Sequence, residues 1–351
     1  MRGVISAIFG LCVIVGMIPA DAKAEPAAKM DGGTTTASPV IAASPFPVEP
    51  PGNDETGISI DRYIGDAGIS PAKISHDTMY TQRIFSSGDP ATGSAGAVLA
   101  PGEQTDLATL MPHDVTSLFT APKELIFYVE SGKGRLDDGK QYWDVSSGFG
   151  MMIPPNVAHR LTNLGDEPLK MIMFSFDPVF VPPKNIVVRD SHKVLMIEHN
   201  VHWSHNSKLL FGPEAGVSRV LVITFGPMTI AGPHASPANT DPKAGGVQWI
   251  HVDNGPMLFQ LGSELRRWPI NTGFVTPLNG QTVHARYNIG DAVQTTLFIN
   301  SGSSMPAASR ATGPSLPTFW HNPPLKGEAT SPAIAESYLK DSVVLGRPLS
   351  K

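Results

Sequence analysis

The sequence predicts an all-β protein made of two tandem barrels, with short helical segments toward its ends. Three observations carry this. An octad of pattern H-x-x-x-N-x-G-D occurs twice, as His159–Asp166 and as His284–Asp291. A Gly and then a Pro precede each copy (Gly148 and Pro154, Gly273 and Pro277), and the offsets 284 − 159 and 273 − 148 are both 125 residues. A repeat of that period is domain-sized, which indicates a duplicated unit and not a solenoid of small repeats. Finally, 34 glycines and 33 prolines punctuate short apolar runs, the texture of strands joined by tight turns, and 351 residues suffice for about two domains.

Taken in order, residues 1–24 read as a secretory signal: Arg2 is the positive start, Val4–Ile18 the apolar run, and Ala20-Asp21-Ala22 or Ala22-Lys23-Ala24 the cleavage site. The single cysteine, Cys12, lies inside that run, so the mature chain is expected to lack disulfides and thiol chemistry and to be periplasmic or extracellular. Residues 25–56, rich in Ala, Pro and Thr, read as a flexible linker. The first barrel is assigned to 57–185, with strands at Ala97–Ala100, Leu125–Val129, Gly150–Ile153 and Leu169–Phe176. Asn185–Met196 reads as a strand linking the halves. The second barrel is assigned to 186–302, with strands near Arg219–Phe225, Val247–Val252, Met257–Leu261 and Thr295–Ile299. A Pro/Ser-rich extension, 303–351, follows, with a short helix over Ala333–Leu345.

A net charge of −5 argues against nucleic acid or an anionic membrane as partner, since both need a basic face, and the first apolar run is too short for a stable membrane anchor. The barrel edges offer a surface for homo-oligomers, and a small-molecule ligand or substrate is the partner that the resemblance described next implies.

The run Gly148…Pro154…Asn156…His159…Asn163 resembles the second conserved motif of the cupins, with Asn156 in place of a glycine; Asn also tolerates a left-handed turn. Leu125–Gly134 resembles the strand closing the first cupin motif, and Gln248–Gly255 with Gly273…Pro277…Gly280…His284…Asn288 repeats the pattern more loosely. The resemblance covers about residues 95–180 and 215–302 and implies a bicupin: two double-stranded β-helix, or jelly-roll, barrels. Metal-binding cupins hold a divalent ion with three histidines and a glutamate, and imidazole and carboxylate suit Fe, Mn, Ni, Cu or Zn. Mapped here, the first half has Ala108 and Leu110 at the histidine pair and Leu125 at the glutamate; only His159 matches, so no metal is expected there. His113 is a loop substitute at best. The second half offers His234, Gln248 and His284 as metal ligands, with a satisfied polar interior as the alternative.

Alternation along a strand puts Arg286 and Asn288 on the face of His284, so Arg286 is expected to grip a carboxylate or similar anion beside a catalytic His284; the alternative pairs it with an acidic neighbour. His251, of opposite parity to Gln248, is expected to point out of the barrel. His199, His202 and His205 between the barrels read as polar packing. Two functions stay open. One is an exported metal-dependent enzyme of dioxygenase, decarboxylase or lyase type acting on a small anionic or oxygenated molecule. The other is a metal-free, non-catalytic bicupin that binds a small ligand or has a storage-like structural role.

Overall fold

Alternating apolar residues decide where each strand points. Along Glu124–Ser131, the side chains of Leu125, Phe127 and Val129 enter one buried cluster while Ile126 and Tyr128 enter another. Leu169–Phe176 does the same, sending Met171 and Met173 one way and Ile172 and Phe174 the other. Successive residues of a strand face opposite sides of the sheet, so these strands separate a barrel interior from the contact between two halves.

The computed structural model describes residues 57–194, 205–235, 247–277, 282–302 and 340–349. The predicted signal peptide, the linker, His199, His202 and most of the C-terminal extension lie outside them. The strands are β1 Ile64–Asp66, β2 Lys73–Ser75, β3 Met79–Ser87, β4 Ala97–Leu99, β5 Gln104–Leu110, β6 Glu124–Ser131, β7 Lys133–Asp137, β8 Gln141–Ser146, β9 Phe149–Ile153, β10 Arg160–Asn163, β11 Leu169–Phe176 and β12 Val187–Asp190. They continue as β13 His205–Phe211, β14 Arg219–Phe225, β15 Ile230–Ala235, β16 Val247–His251, β17 Met257–Leu261, β18 Glu264–Arg267, β19 Thr272–Thr276, β20 Val283–Asn288, β21 Gln294–Asn300 and β22 Arg347–Pro348. The strands at Leu169–Phe176, Arg219–Phe225 and Met257–Leu261 coincide with the runs expected from the sequence.

Each half pairs a large sheet with a four-stranded one. The first joins β12-β9-β6-β11-β5-β3-β2, with β4 on β3, to β10-β7-β8-β22; the second joins β1-β19-β16-β21-β14-β13 to β15-β20-β17-β18. The halves exchange edges. β1, from the start of the first repeat, pairs with β19 of the second barrel, while β12, past residue 185, pairs with β9 of the first. Covering an edge strand in this way removes a site for unwanted pairing.

Two expectations about secondary structure change. The strand expected over Asn185–Met196 spans only Val187–Asp190, because the Asp190 carboxylate accepts from the His192 backbone N–H (3.0 Å) and turns the chain into a 3-10 segment, Ser191–Lys193. Of the helix expected over Ala333–Leu345, residues 333–339 lie outside the described ones and the rest holds only a 3-10 segment, Lys340–Ser342, after which Val343 bridges to Arg189 and Arg347–Pro348 pairs with β8.

The octad's asparagines explain why the repeat persists. Asn163 Nδ2 donates to the carbonyls of Leu110, Met111 and Glu167, and its Oδ1 accepts from Gly165 N–H. Asn288 makes the matching set with Phe225, Gly226, Ala292 and Gly290. One amide thus satisfies three carbonyls, one of them in a fully buried bond, and a turn N–H. Asn156 adopts the left-handed φ of 61° that its place in the motif demands.

Candidate functional site: a buried arginine in the second barrel

On β20, His284 is 2 % exposed and Arg286 0 % exposed. Strand alternation places them side by side, and both reach Trp249 of β16: the Arg286 Cζ lies 3.6 Å from the Trp249 ring centroid and the His284 ring 6.2 Å from it. Trp249 is held by its own Nε1–H, which donates to Thr276 Oγ1 at 3.0 Å. Stacking on an indole is favourable for a guanidinium, yet it satisfies none of its N–H groups. Nε, Nη1 and Nη2 of Arg286 are all buried without a hydrogen-bond partner among the described residues. Burial pulls its pKa down to about 9, so it is still cationic at neutral pH. The alternative of an acidic neighbour therefore fails among the described residues.

His234, on β15, is the strand partner of His284, with ring centroids 4.1 Å apart. Its Nδ1 faces the Gly232 carbonyl at 2.8 Å; a carbonyl only accepts, so Nδ1 carries the proton.

Gln248 does not join them. Its Oε1 accepts from Thr105 Oγ1 at 2.6 Å, which places it in the contact between the barrels; its neighbour Trp249 takes the interior position. The cause is one extra residue in a turn. Four residues separate Val129 from Gly134 in the first half, and five separate their counterparts His251 and Met257 in the second, as the pairings of Gly134 with Asn163 and of Met257 with Asn288 establish. Counting back from Gly255 therefore lands on the wrong face. His251 points inward for the same reason, bonded through Nδ1 to the Trp268 carbonyl (2.7 Å) and through Nε2 to Gln294 Oε1 (3.2 Å).

The expected set of His234, Gln248 and His284 thus reduces to two imidazoles beside a buried cation. No group of three His, Cys, Asp or Glu suited to a metal occurs among the described residues. A divalent ion needs more donors than that, and carboxylate charge in place of a guanidinium. The residues present do not fit the cupin metal.

Comparison with known proteins agrees with this architecture. Residues 106–175 match the family described as "Cupin domain". Over 69–71 % of the chain the fold follows solved two-barrel structures at TM-scores of 0.51–0.52. They are oxalate decarboxylase OxdC of Bacillus subtilis (11 % identical, 79 % of that chain), the formate complex of Lactobacillus farciminis oxalate decarboxylase (12 %, 87 %) and vicilin of Corylus avellana (10 %, 86 %). The chain has the two-barrel fold of these proteins, with a cupin domain matched in its first half. A curated relative, the uncharacterized protein MJ1618 of Methanocaldococcus jannaschii, is 33 % identical over 55 residues, which cover 16 % of this chain and less than half (44 %) of that protein. No helix among the described residues is long and apolar enough to cross a membrane.

In the first barrel, strand pairing puts Phe119 opposite His159, where the second has His234 opposite His284. The residues aligned with the histidine pair from sequence, Ala108 and Leu110, are on β5 and fully buried. Leu161 stands in place of Arg286. His113 is in an exposed turn on Asp166 (3.1 Å), too far out to serve the interior. Sequence reasoning missed His76, buried at the turn between β2 and β3, whose ring lies 5.4 Å from that of His159. Its only signal is a polar Ser-His-Asp stretch in a turn outside both motifs.

Proposed function

We propose that this bicupin binds a small organic anion, a carboxylate above all, inside its C-terminal barrel, with Arg286 receiving the anionic group. The observation that carries this is the guanidinium itself: fully buried, cationic, and with no hydrogen-bond partner for any of its three nitrogens among the described residues. An unpaired buried charge costs several kcal/mol, on the order of what removing one partner of a buried pair costs, and a bidentate carboxylate would offset it. Trp249 holds the guanidinium plane in place, and His284 and His234 give the ligand imidazole neighbours on the same wall. Because the donor set does not suit a divalent metal, the metal-free binding role is favoured over a metal-dependent dioxygenase, decarboxylase or lyase. The reading includes export through the N-terminal 24 residues, which the mass of the mature N-terminus checks.

The fold neighbours supply the first anions to try: oxalate, the namesake substrate of the decarboxylases, and formate. Calorimetry and thermal melts of the tag-free protein should show binding of a carboxylate and none of its neutral amide. Saturating the site at 100 Kd would add about 2.7 kcal/mol of stability, and Arg286→Met should abolish both signals. Equal binding of acid and amide, or binding retained in Arg286→Met, would refute the assignment.

A further inference from the structure

We propose that the first barrel holds one Cu(I) ion between His76 and His159. His159 is 0 % exposed, and its Nδ1 lies 3.1 Å from the Val157 carbonyl, so Nδ1 carries the proton and Nε2 presents a lone pair. His76 is 8 % exposed and sits at φ 52°, followed by Asp77 at φ 70°, two consecutive non-glycine residues in the left-handed region. Such backbone persists where surrounding structure enforces it, often at functional positions. Its Nδ1 is 2.7 Å from Ser75 Oγ, and that hydroxyl can accept the ring proton and leave Nε2 a second lone pair. Neither Nε2 has a hydrogen-bond partner among the described residues although both are buried. With the ring centroids 5.4 Å apart and each metal–nitrogen bond ~2.0 Å, the two imidazoles can share one ion.

The surroundings select which ion. No third His, Cys, Asp or Glu joins the pair among the described residues, so hard cations and tetrahedral zinc lack ligands. Square-planar Cu(II) lacks them too. A soft ion content with two nitrogens fits, and the barrel interior is rich in soft sulfur: Met79, Met151, Met171 and Met173 all belong to its core. Leu161 replaces the arginine that would repel a cation.

The test is anaerobic competition of the tag-free protein against bicinchoninate for Cu(I). One Cu(I) per chain is expected, with affinity lowered at least ~100-fold in His76→Ala and in His159→Ala, unchanged in His234→Ala, and with a two-nitrogen X-ray absorption signature. His76 lies on a turn, so its variant carries the test if His159→Ala does not fold. Failure to take Cu(I) from the chelator, equally tight Zn(II), or loss of Cu(I) in His234→Ala overturns the proposal. The first two outcomes leave the anion site untouched, since it lies in the other barrel; the third would move the copper to that barrel's His234.

Discussion

The two barrels share a backbone plan and differ in what they enclose. Matched strand positions carry Leu161, Phe119 and Phe127 in the first half and Arg286, His234 and Trp249 in the second. The first interior is apolar, with a histidine pair at one side; the second holds a cation stacked on an indole, with a histidine pair beside it. Asn163 and Asn288 make the same four hydrogen bonds in both. Duplication has kept the groups that satisfy backbone and freed those that face the interior, so the barrels have diverged in the charge of the guest each could hold.

The most severe way to break the comparison is to give the first barrel the second's charge. Leu161 is 0 % exposed in an apolar cluster with no anionic partner. Leu161→Arg should cost roughly 3–5 kcal/mol, since it buries an uncompensated charge and overpacks the core. Chemical denaturation would show this as a lower midpoint at unchanged slope; a loss below 1 kcal/mol would mean that the barrels tolerate buried cations equally.

A somewhat smaller effect is expected at the seam between the halves. Glu124 is 0 % exposed, neither carboxyl oxygen has a partner, and it abuts Gly216 of the second half so closely that a Cβ there would lie 2.3 Å from Glu124 Oε2. Burial raises its pKa from 4.5 to about 8. A carboxyl raised in the folded state binds a proton that the unfolded chain releases, so stability is full below pH ~4.5 and declines as pH rises toward 8. Glu124→Gln, neutral at every pH, should flatten that decline and recover roughly 2–4 kcal/mol at pH 8 relative to pH 4.5. Denaturation across that range measures it, and an unchanged slope would show that Glu124 is not the group responsible.

The asparagines sharpen the comparison by predicting equality. Asn163→Ala and Asn288→Ala each strand two or three carbonyls and should cost about 2–3 kcal/mol apiece. A marked difference between the two variants, by denaturation, would mean that one octad has lost its structural role.

These contrasts also explain what was legible in the sequence. The fold was, because Asn163, Asn288 and the alternation of β6 and β11 are constraints of backbone hydrogen bonding that leave a pattern at fixed spacing. Arg286 was legible as a neighbour of His284, since parity along one uninterrupted strand cannot slip. Gln248 was misread because its position was counted across a turn, and one added residue there exchanges interior for exterior. Phe119 as the counterpart of His234 depended on cross-strand register, and His76 on a turn folding back over the barrel. Neither leaves a local periodicity.

The smallest effect is the most diagnostic. Arg286→Met removes the buried charge while keeping an unbranched chain against Trp249, so the ligand-free protein should become more stable by ~1–2 kcal/mol, as replacement of buried ionic groups by apolar ones often is. The lost stacking on Trp249, worth about 0.5–2 kcal/mol, works against this and keeps the gain small. The same variant should gain nothing from a carboxylate that stabilises the natural protein, so the two melting curves should cross as ligand is added. A structural arginine would behave in the opposite way: its loss would destabilise the protein with or without ligand. Stability rising without ligand and ligand response vanishing together are what separates a site kept for a guest from a residue kept for the fold.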